Sequence, residues 1–397
     1  MEIFVTDENF ERAFLIDRYE SFIWTERYKQ YGDFELIVPA ERTFRQTFQI
    51  DTLIYLKETD RVMRVETLEE YIESEGQRHL RITGRSLEAI FEDRVAMPAL
   101  DDLTTTPQWS ITGTPKEIMH TLFESVYVDA RLDPGDTLPF FLTTTTATDG
   151  DLPAPDEEVT IVFDPDSLYN SLKKVADTYN LGFRIYRSHD SKGLYFSVYT
   201  GNDKTTGQSN HIPVIFSTEL DNLSNGASLQ SRASYKNVAY VFAKNGAAII
   251  YGDGVDPSIS GFERRVLTVN ASDIDLNAGA VLNTALEQRG REELAKYRAV
   301  VAFDGEIPQS GSYSYGWPNV HDSVPHYNLG DLVEQRSDDG LVTTLKVTEQ
   351  IFSSNGEGDK SYPTLIVDTV ATPGSWAVRA PNQVWEDVPD TEHWADL

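Results

Sequence analysis

The sequence predicts a mainly β fold with α+β insertions, divided among several domains. The first hundred residues contain short runs of β-branched and aromatic residues between turn residues, which is the pattern of strands. Helical signals are confined to a few later segments. The chain has 397 residues, enough for two to four modules with separate cores. No run approaches the roughly 20 apolar residues of a membrane-spanning helix, so we expect no membrane span.

The N-terminal region is predicted to consist of strands followed by a short helix. Its strands lie at close spacing, which is typical of a β-sandwich or barrel. The helix is predicted to run from Ser86, a candidate N-cap, to Arg94. The predicted strands are residues 3–5, 13–16, 21–25, 34–39, 52–56, 62–68 and 80–83.

The middle of the chain is predicted to be an α+β region. Thr114-Pro115-Lys116-Glu117 has the sequence of a capping box with proline at the first helical position. Residues 129–158 are rich in Thr, Asp and Pro, which predicts a long surface loop. A second helix is predicted to begin at Asp164-Pro165 and to end near residue 180. A hairpin of residues 183–186 and 194–199 follows.

Strands and one long helix are predicted for the rest of the chain. Residues 214–216 and 238–242 have strand composition, and the helix is predicted over about residues 277–297. A loop rich in Gly, Ser and Tyr covers residues 305–326. Residues 329–370 are predicted to be β again.

Two parts of the sequence resemble each other in the order of their strands and loops. Few residues are identical, so the pattern allows either an internal duplication or a chance likeness between two β-meanders. The segments are residues 51–55, 62–67 and 80–83 in the first part, and 331–333, 345–349 and 365–368 in the second.

The chain is strongly acidic. Its 64 Asp and Glu residues against 34 Lys and Arg residues give a formal net charge of −30. Such a surface repels phosphate backbones, so we expect no specific binding of nucleic acid, although DNA would slide past it without adhering. The excess of carboxylates fits either an adaptation to molar salt or an ordinary acidic protein.

The sequence contains no recognisable catalytic motif. There is no nucleophile elbow, no glycine-rich phosphate loop and no His-Glu-x-x-His zinc helix. The chain has no cysteine, which excludes disulfides, thiol nucleophiles and Cys-ligated zinc. We therefore predict no catalytic residues, no metal site and no cofactor.

The C-terminal extension, residues 373–397, is acidic and carries three regularly spaced tryptophans. Trp376, Trp385 and Trp394 lie among Asp and Pro residues, so they are too far apart to form a core of their own. Exposed aromatic side chains of this kind typically anchor a peptide on a partner protein. We predict that these three residues dock on a neighbouring subunit or on a partner protein. The alternative is a disordered acidic tail, which the composition also allows.

Several segments together resemble the siphophage minor tail proteins that form baseplate hubs, the Tal-type (tail-associated lysin-like) family. They occur in the expected order and span nearly the whole chain. The opening segment, residues 20–39, includes Trp24 and Tyr31-Gly32-Asp33-Phe34-Glu35-Leu36. The others are residues 84–94, Tyr235-Lys236-Asn237-Val238-Ala239-Tyr240-Val241, Gly261-Phe262-Glu263-Arg264-Arg265, Arg289-Gly290-Arg291-Glu292-Glu293-Leu294 and Leu329-Gly330-Asp331.

The resemblance implies the architecture of a phage hub. It implies two tail-tube-like β-barrel domains plus smaller α+β domains, with three chains closing into a ring whose six barrels continue the tail tube. The implied domains are residues 1–98 (first barrel), 99–210 (helical α+β), 211–262 with 325–372 (second barrel), 263–324 (α+β insertion with the long helix) and 373–397 (the acidic extension).

The resemblance also implies a place and partners for the protein. It implies a virion protein at the distal tail tip of a siphovirus, assembled in the host cytoplasm. The implied partners are two further copies of itself, the distal tail protein or last tube ring, the tape-measure protein and tail-fibre or tip proteins, with DNA passing through the channel. The three tryptophans of the extension would then dock on a neighbouring subunit or on a tail-tip partner. Many relatives carry a lysin or peptidase domain after the hub, and no such domain follows here, so we expect no enzymatic activity.

Two other functions remain alternatives at the level of sequence. One is a tail-associated hydrolase that degrades cell wall through paired carboxylates, for which the sequence offers no distinctive pair. The other is a receptor-binding adhesin at the tail tip, for which the loop of residues 305–326 is a weak candidate.

Overall fold

The computed structural model describes residues 1–366 except 8–9, 73–75, 98–107, 139, 143–149, 188–192, 253, 273, 275–278, 298, 307–312, 317–325, 337–341 and 357. These residues form two units. The first contains Met1–Leu229 and residues 301–366, and the second is Gln230–Val300. No helix among the described residues has the length and apolar character needed to cross a bilayer.

The N-terminal strands form one part of a 13-stranded sheet in the first unit. They are β1 (Ile3–Thr6), β2 (Arg12–Ile16), β3 (Ser21–Arg27), β4 (Asp33–Pro39), β5 (Leu53–Leu56), β6 (Val62–Ile72) and β7 (Arg78–Ser86), with helix α1 (Arg42–Thr47) between β4 and β5. Their order in the sheet is β3-β4-β7-β6-β5-β1-β2, and every neighbouring pair is antiparallel. Side chains alternate between the core and solvent, as in β4, where Phe34, Leu36 and Val38 are buried. The predicted strands of this region are confirmed.

A smaller α+β region follows in the first unit. Its elements are β8 (Trp109–Gly113), helix α2 (Pro115–Tyr127), β9 (Phe141–Leu142), β10 (Val159–Phe163), helix α3 (Leu168–Tyr179), β11 (Gly182–Arg187) and β12 (Leu194–Tyr199). The predicted capping box is present, with Thr114 and Glu117 bonded to each other's backbone N–H groups. The predicted hairpin is β11 and β12. The second helix begins three residues later than predicted, because Ser167 rather than Asp164 caps it.

The predicted role of Ser86 is only partly confirmed. A 3₁₀ helix, Leu87–Asp93, does begin directly after Ser86, but the serine side chain makes no capping hydrogen bond. Its Oγ instead accepts the N–H of Gly32 at 2.8 Å. Ser86 therefore bonds the backbone of the β3–β4 loop and not the helix terminus.

The chain next adds two strands to the large sheet and then forms the second unit. The two strands are β13 (Ile215–Ser217) and β14 (Ser224–Ser231), and the second unit contains β15 (Val238–Ala243), β16 (Gly246–Tyr251), β17 (Val266–Asn270) and helix α4 (Ala280–Ala295). In the second unit Leu282 and Leu286 of α4 pack against Val241 of β15 in one small core.

This division differs from the predicted one. The sequence placed residues 238–242 in the second barrel and began the insertion at residue 263. In the structure β15 pairs only with β16 and β17 among the described strands, so the insertion is Gln230–Val300. Helix α4 is shorter than predicted, and residues 275–278 lie outside the described residues.

The last strands complete the large sheet. They are β18 (Val300–Glu306), β19 (Ser314–Tyr315), β20 (His326–Tyr327), β21 (Leu332–Arg336), β22 (Val342–Asn355) and β23 (Gly358–Ile366), of which β19 and β20 form a separate two-stranded ladder. The order in the sheet is β14-β18-β23-β22. Strand β21 also pairs with β22, and β13 pairs with β21.

The described strands of the large sheet form an open, continuous sheet. Its terminal strands, β2, β13 and β14, each pair on one edge only among the described residues. The mainly β prediction with α+β regions is thus confirmed. Closure of the sheet into two barrels remains a prediction.

Candidate functional site: a strand joint and a buried charge cluster

The large sheet contains two groups of five strands with the same topology. We call β3, β4, β5, β6 and β7 the first module, and β14, β18, β21, β22 and β23 the second module. If the five strands of each module are numbered along the chain, their order in the sheet is first-second-fifth-fourth-third. This order is β3-β4-β7-β6-β5 in the first module and β14-β18-β23-β22-β21 in the second. The first and second strands of the two modules are connected differently: a short loop joins β3 to β4, whereas residues 232–299 lie between β14 and β18.

The two modules are joined edge to edge by backbone hydrogen bonds. Strand β3 of the first module pairs antiparallel with residues 349–354 of β22, in six register pairs from Glu349 with Arg27 to Ser354 with Phe22. The N–H of Tyr28 also bonds the carbonyl of Thr348 at 2.9 Å. We call this ladder the joint. It makes one sheet out of two modules.

Aromatic side chains cover the joint on its buried face. Phe352 of β22 is 3% exposed and lies in the core of the first module with Phe22 and Trp24. Tyr315 packs edge-on against Phe352, with ring centroids 5.6 Å apart. Because the core of one module contains a side chain of the other, the joint is held by apolar burial as well as by backbone hydrogen bonds.

An ion pair also crosses the joint. Arg27 Nε donates to Glu349 Oε1 at 2.8 Å, and Arg27 Nη1 donates to Asp33 Oδ2 at 2.5 Å. Burial alone would lower the pKa of Arg27, but the hydrogen bonds and charges of Asp33 and Glu349 outweigh it and raise that pKa. Arg27 therefore stays charged at the boundary between the modules.

A cluster of buried charges lies next to the joint. Arg61 Nη1 bonds Glu88 Oε1, and both side chains are at most 3% exposed. Arg61 Nη2 also donates to Tyr199 Oη at 3.2 Å, and the N–H of Ile185 donates to Glu88 Oε1 at 2.7 Å. Burial lowers the pKa of Arg61, but the charge of Glu88 outweighs it and raises the pKa overall. Through its hydrogen bonds with Tyr199 and Ile185, this ion pair ties the first module to the α+β region.

Glu26 brings a second carboxylate to the same interior. It lies on β3, is 2% exposed, and accepts hydrogen bonds from Trp24 Nε1 at 2.9 Å and from Tyr315 Oη at 2.8 Å. Burial raises the pKa of Glu26, against the opposing charge of Arg61. Burial likewise raises the pKa of Tyr199 to about 12. A carboxyl group in this position is more stable protonated than it would be in water.

A small cleft with a cavity volume of about 30 Å³ opens beside this cluster. Asp60, Arg184, Tyr199, Asn202 and Tyr315 are among its lining residues. Arg184 Nη1 lies 3.4 Å from Asp60 Oδ2. The cleft brings together arginines, acids and phenols that are already bonded to each other, and the described residues contain no group of three His, Asp or Glu side chains placed to hold a metal ion. The arrangement can hold the modules together.

Asp331 fixes the start of β21. Its side chain is fully buried, and it accepts the N–H groups of Asn202 at 2.7 Å and Asn328 at 2.9 Å. Lys204 Nζ lies 3.5 Å away. Burial raises the pKa of Asp331, and Lys204 and the two N–H groups partly oppose that rise. The carboxylate thus links the segment after β12 to the second module.

The three tryptophans predicted to dock on a neighbour, Trp376, Trp385 and Trp394, lie outside the described residues. The joint and the charge cluster were not predicted as sites. One signal for Glu26 was present in the sequence, since it occupies the inward position in the alternation Phe22, Trp24, Glu26. No comparable signal marks Arg61 or Glu88, because a charged residue normally lies on the surface.

Comparisons with known proteins agree with this architecture. The sequence matches the family described as Siphovirus ReqiPepy6 Gp37-like protein over residues 1–359. No curated protein matches the chain. The fold is similar to that of a tail protein from Neisseria meningitidis MC58, with a TM-score of 0.55 and 13% identity over 95% of this chain and 98% of that one. It is also similar to the prophage MuSo2 43 kDa tail protein from Shewanella oneidensis, with a TM-score of 0.54 and 13% identity over 92% of this chain and 98% of that one.

Proposed function

Because the chain belongs to the family of Siphovirus ReqiPepy6 Gp37-like proteins, which are viral tail proteins, we propose that it is the baseplate hub of a long, non-contractile tail. In this proposal three copies form a ring at the distal end of the tail, and the ring continues the tail tube. The protein acts as a structural component of the virion and has no enzymatic activity.

One observation carries the proposal: two modules of identical strand topology lie side by side in one sheet. A tail tube with sixfold symmetry presents six equivalent contacts to whatever closes it. A ring of three chains offers six similar modules only if each chain contains two of them. The pairing of β3 with β22 gives each chain two such modules in fixed register.

The sheet edges support assembly of more than one copy. Strands β2 and β14 pair on one edge only among the described residues, and exposed strand edges favour pairing with another chain. In the proposed ring these open sheets close into tube-like barrels. The channel inside would be acidic, since each chain carries a net charge of −30, and DNA would pass through it without adhering.

The proposed partners follow from the position of a hub. The ring would contact the distal tail protein or the last ring of the tail tube on one side, and tail-fibre or tip proteins on the other, while the tape-measure protein would end in its channel. We propose that Trp376, Trp385 and Trp394 anchor the acidic C-terminal extension to one of these neighbours. Replacing Trp385 by alanine should then weaken tail-tip assembly, whereas Asn382→Ala in the same segment should not.

Light scattering of the purified full-length chain tests the proposed oligomer. We expect a mass three times that of the 44.7 kDa chain, reached most readily in molar salt because screening weakens repulsion between three acidic copies. A protein that stays monomeric at every salt concentration, and also when the other tail proteins are added, would rule the ring out.

A further inference from the structure

We infer that the contact between neighbouring copies in the ring is a second strand joint, in which β14 of one copy pairs with residues 67–72 of β6 in the next. This inference rests on the proposed ring and names the surface that closes it. Within a chain, β3 of the first module pairs with β22 of the second. Between chains, β14 of the second module takes the place of β3, and β6 of the first module takes the place of β22.

The residue-level correspondence between β6 and β22 is fixed by two bulges. Pairing of β6 with β7 skips Glu66, and pairing of β22 with β23 skips Thr348. A bulge is a specific local feature, so its recurrence at the same place in both modules sets the alignment. Glu66 therefore corresponds to Thr348.

Hydrogen bonds on the other side of the same strands give the same alignment. In the first module the N–H of Asp51 bonds the carbonyl of Val65 at 2.9 Å, and in the second the N–H of Gly330 bonds the carbonyl of Val347 at 2.7 Å. Asp51 and Gly330 also share a left-handed backbone, with φ of 69° and 90°. Val65 thus corresponds to Val347, one residue before each bulge.

The alignment maps the joint onto an edge of β6 that pairs with none of the described strands. Counting forward from the bulges, residues 349–354 of β22, which pair with β3, correspond to residues 67–72 of β6. On the edge away from β7, no described strand pairs with residues 67–72 of β6. The exposure of the side chains differs accordingly: Ser354 is 5% exposed, whereas its counterpart Ile72 is 59% exposed.

Strand β14 is the counterpart of β3. Each is the first strand of its module in the chain, and each pairs on one edge with the module's second strand, β4 or β18. The other edge of β3 forms the joint with β22, whereas the other edge of β14 has no strand partner among the described residues. β14 has eight residues, enough to pair with all six of residues 67–72.

Charge does not prevent this pairing, although the chain is strongly acidic. Two glutamates lie on the proposed acceptor edge, and each is already paired with an arginine of its own chain. Glu69 Oε2 lies 3.6 Å from Arg81 Nη1, and Glu70 Oε1 lies 2.6 Å from Arg45 Nη2. The edge therefore presents balanced charge to a second copy.

The contact is head to tail, since β14 and β6 belong to different modules of the chain. Such a heterologous contact propagates from copy to copy and ends only when a ring closes. Three copies would then contain three joints within chains and three between chains, alternating around the ring. This alternation gives a pseudo-sixfold sheet from a threefold assembly.

Disulfide trapping tests the pairing, because the chain has no cysteine of its own. One variant carries Glu69→Cys in β6, and four others carry Ala227→Cys, Ser228→Cys, Leu229→Cys or Gln230→Cys in β14. Each β14 variant is mixed with the β6 variant in the trimeric state and oxidised mildly. We expect covalent dimers only in the mixtures, with yields that alternate from one β14 position to the next because successive side chains point to opposite faces.

Two controls define the result. Ile23→Cys with Ser353→Cys places cysteines at register partners of the joint within the chain, and should form an intrachain disulfide. Leu15→Cys lies on the exposed edge strand β2 and should give no dimer with the β14 variants. Melting temperatures should match the unmodified protein, which confirms that the variants fold.

The outcomes separate this inference from the proposed function. Trimers by light scattering together with alternating β6–β14 cross-links support both. Trimers without β6–β14 cross-links, or with cross-links from β14 to Leu15→Cys, overturn the pairing and leave the ring intact. A protein that remains monomeric and forms no cross-link overturns the ring and the pairing together.

Discussion

The two modules share a strand order and a register. Residues 67–72 of β6 and the corresponding residues 349–354 of β22 nevertheless have opposite environments. In the second module residues 349–354 of β22 pair with β3, and Phe352 lies in a core. In the first module the corresponding residues of β6 are exposed apart from the half-buried Leu68 and Tyr71, and Glu70 occupies the position of Phe352. The strand order does not determine which edge is covered. The neighbour along the sheet does.

This difference shows how the same strand arrangement can be covered within the chain in one module and free in the monomer in the other. A strand end that is always covered tolerates an apolar side chain, whereas a strand end that is free in the monomer needs polar or charged side chains to avoid aggregation. The ion-paired glutamates of β6 meet that need. The four predictions below test the contrast, beginning with the largest expected effect.

The largest effect is expected for Phe352→Ala in comparison with Glu70→Ala. Removing a buried phenylalanine leaves a cavity among Phe22, Trp24 and Tyr315, so we expect a loss of about 3–5 kcal/mol in the free energy of unfolding. Glu70→Ala should change it by less than about 0.5 kcal/mol. Urea denaturation followed by circular dichroism measures both. Equal losses would mean that the two strand ends have the same environment.

The next effect concerns Asp51 and Gly330, the residues of left-handed backbone conformation that precede β5 and β21. A Cβ at Gly330 would lie 2.7 Å from Tyr28 Cε2 and 3.1 Å from the carbonyl oxygen of Thr200, and its φ of 90° disfavours any side chain. We expect Gly330→Ala to cost about 1–3 kcal/mol. Asp51→Gly should be nearly neutral, because relief of the left-handed strain is offset by the entropy of glycine in the unfolded chain. Thermal melts would contradict this if Gly330→Ala were neutral.

A third prediction uses pH to compare a carboxyl group at the joint with one at the bulge. Burial raises the pKa of Glu26, so folding loses stability as pH rises from about 4.5 through that raised pKa. Glu26→Gln should remove this loss, and its stability relative to the unmodified protein should increase between pH 4.5 and 8. Each unit of pKa corresponds to about 1.4 kcal/mol.

Glu66 is the control of opposite sign. Burial alone would raise its pKa, but hydrogen bonds from Arg85 and Arg64 outweigh it and lower the pKa. Glu66 therefore stabilises the fold above about pH 4.5, and this contribution falls as pH drops through its folded pKa. Glu66→Gln should lose stability relative to the unmodified protein as pH rises. Parallel pH profiles for the two variants would refute the assignment.

The smallest effect is expected for the ion pair across the joint. Arg27 and Glu349 are 28% and 23% exposed, so a double-mutant cycle with Arg27→Gln and Glu349→Gln should give a coupling of about 0.5–1 kcal/mol. The exposed pair of Lys57 and Glu2 should show a weaker coupling that disappears in high salt. If the coupling free energy of Arg27 and Glu349 were no larger than that of Lys57 and Glu2, solvent and salt would screen the ion pair at the joint as they do an exposed pair.

Local features of this fold were predictable from the sequence, because they depend on neighbouring residues. Alternation placed the strands of the first module, and Thr114 and Glu117 identified the capping box. The strand order of the two modules also follows the resemblance seen between residues 51–83 and 331–368.

Contacts between distant segments were not predictable. The partners at the joint are about 320 residues apart, and nothing in either strand specifies the other. The compact unit Gln230–Val300 differs from the predicted insertion for a related reason: β15 has the composition of a sheet strand, and only its pairing with β16 and β17 separates it from the large sheet. Arg61 and Glu88 were missed because their burial depends on the α+β region packed against them.

Electron microscopy of the purified full-length protein tests the central claim most directly. If three chains with two modules each form a hub, class averages in molar salt should show a ring with threefold symmetry, six similar lobes and a central channel. Compact single particles of the mass of one chain, or pairs related by a twofold axis, would contradict the account.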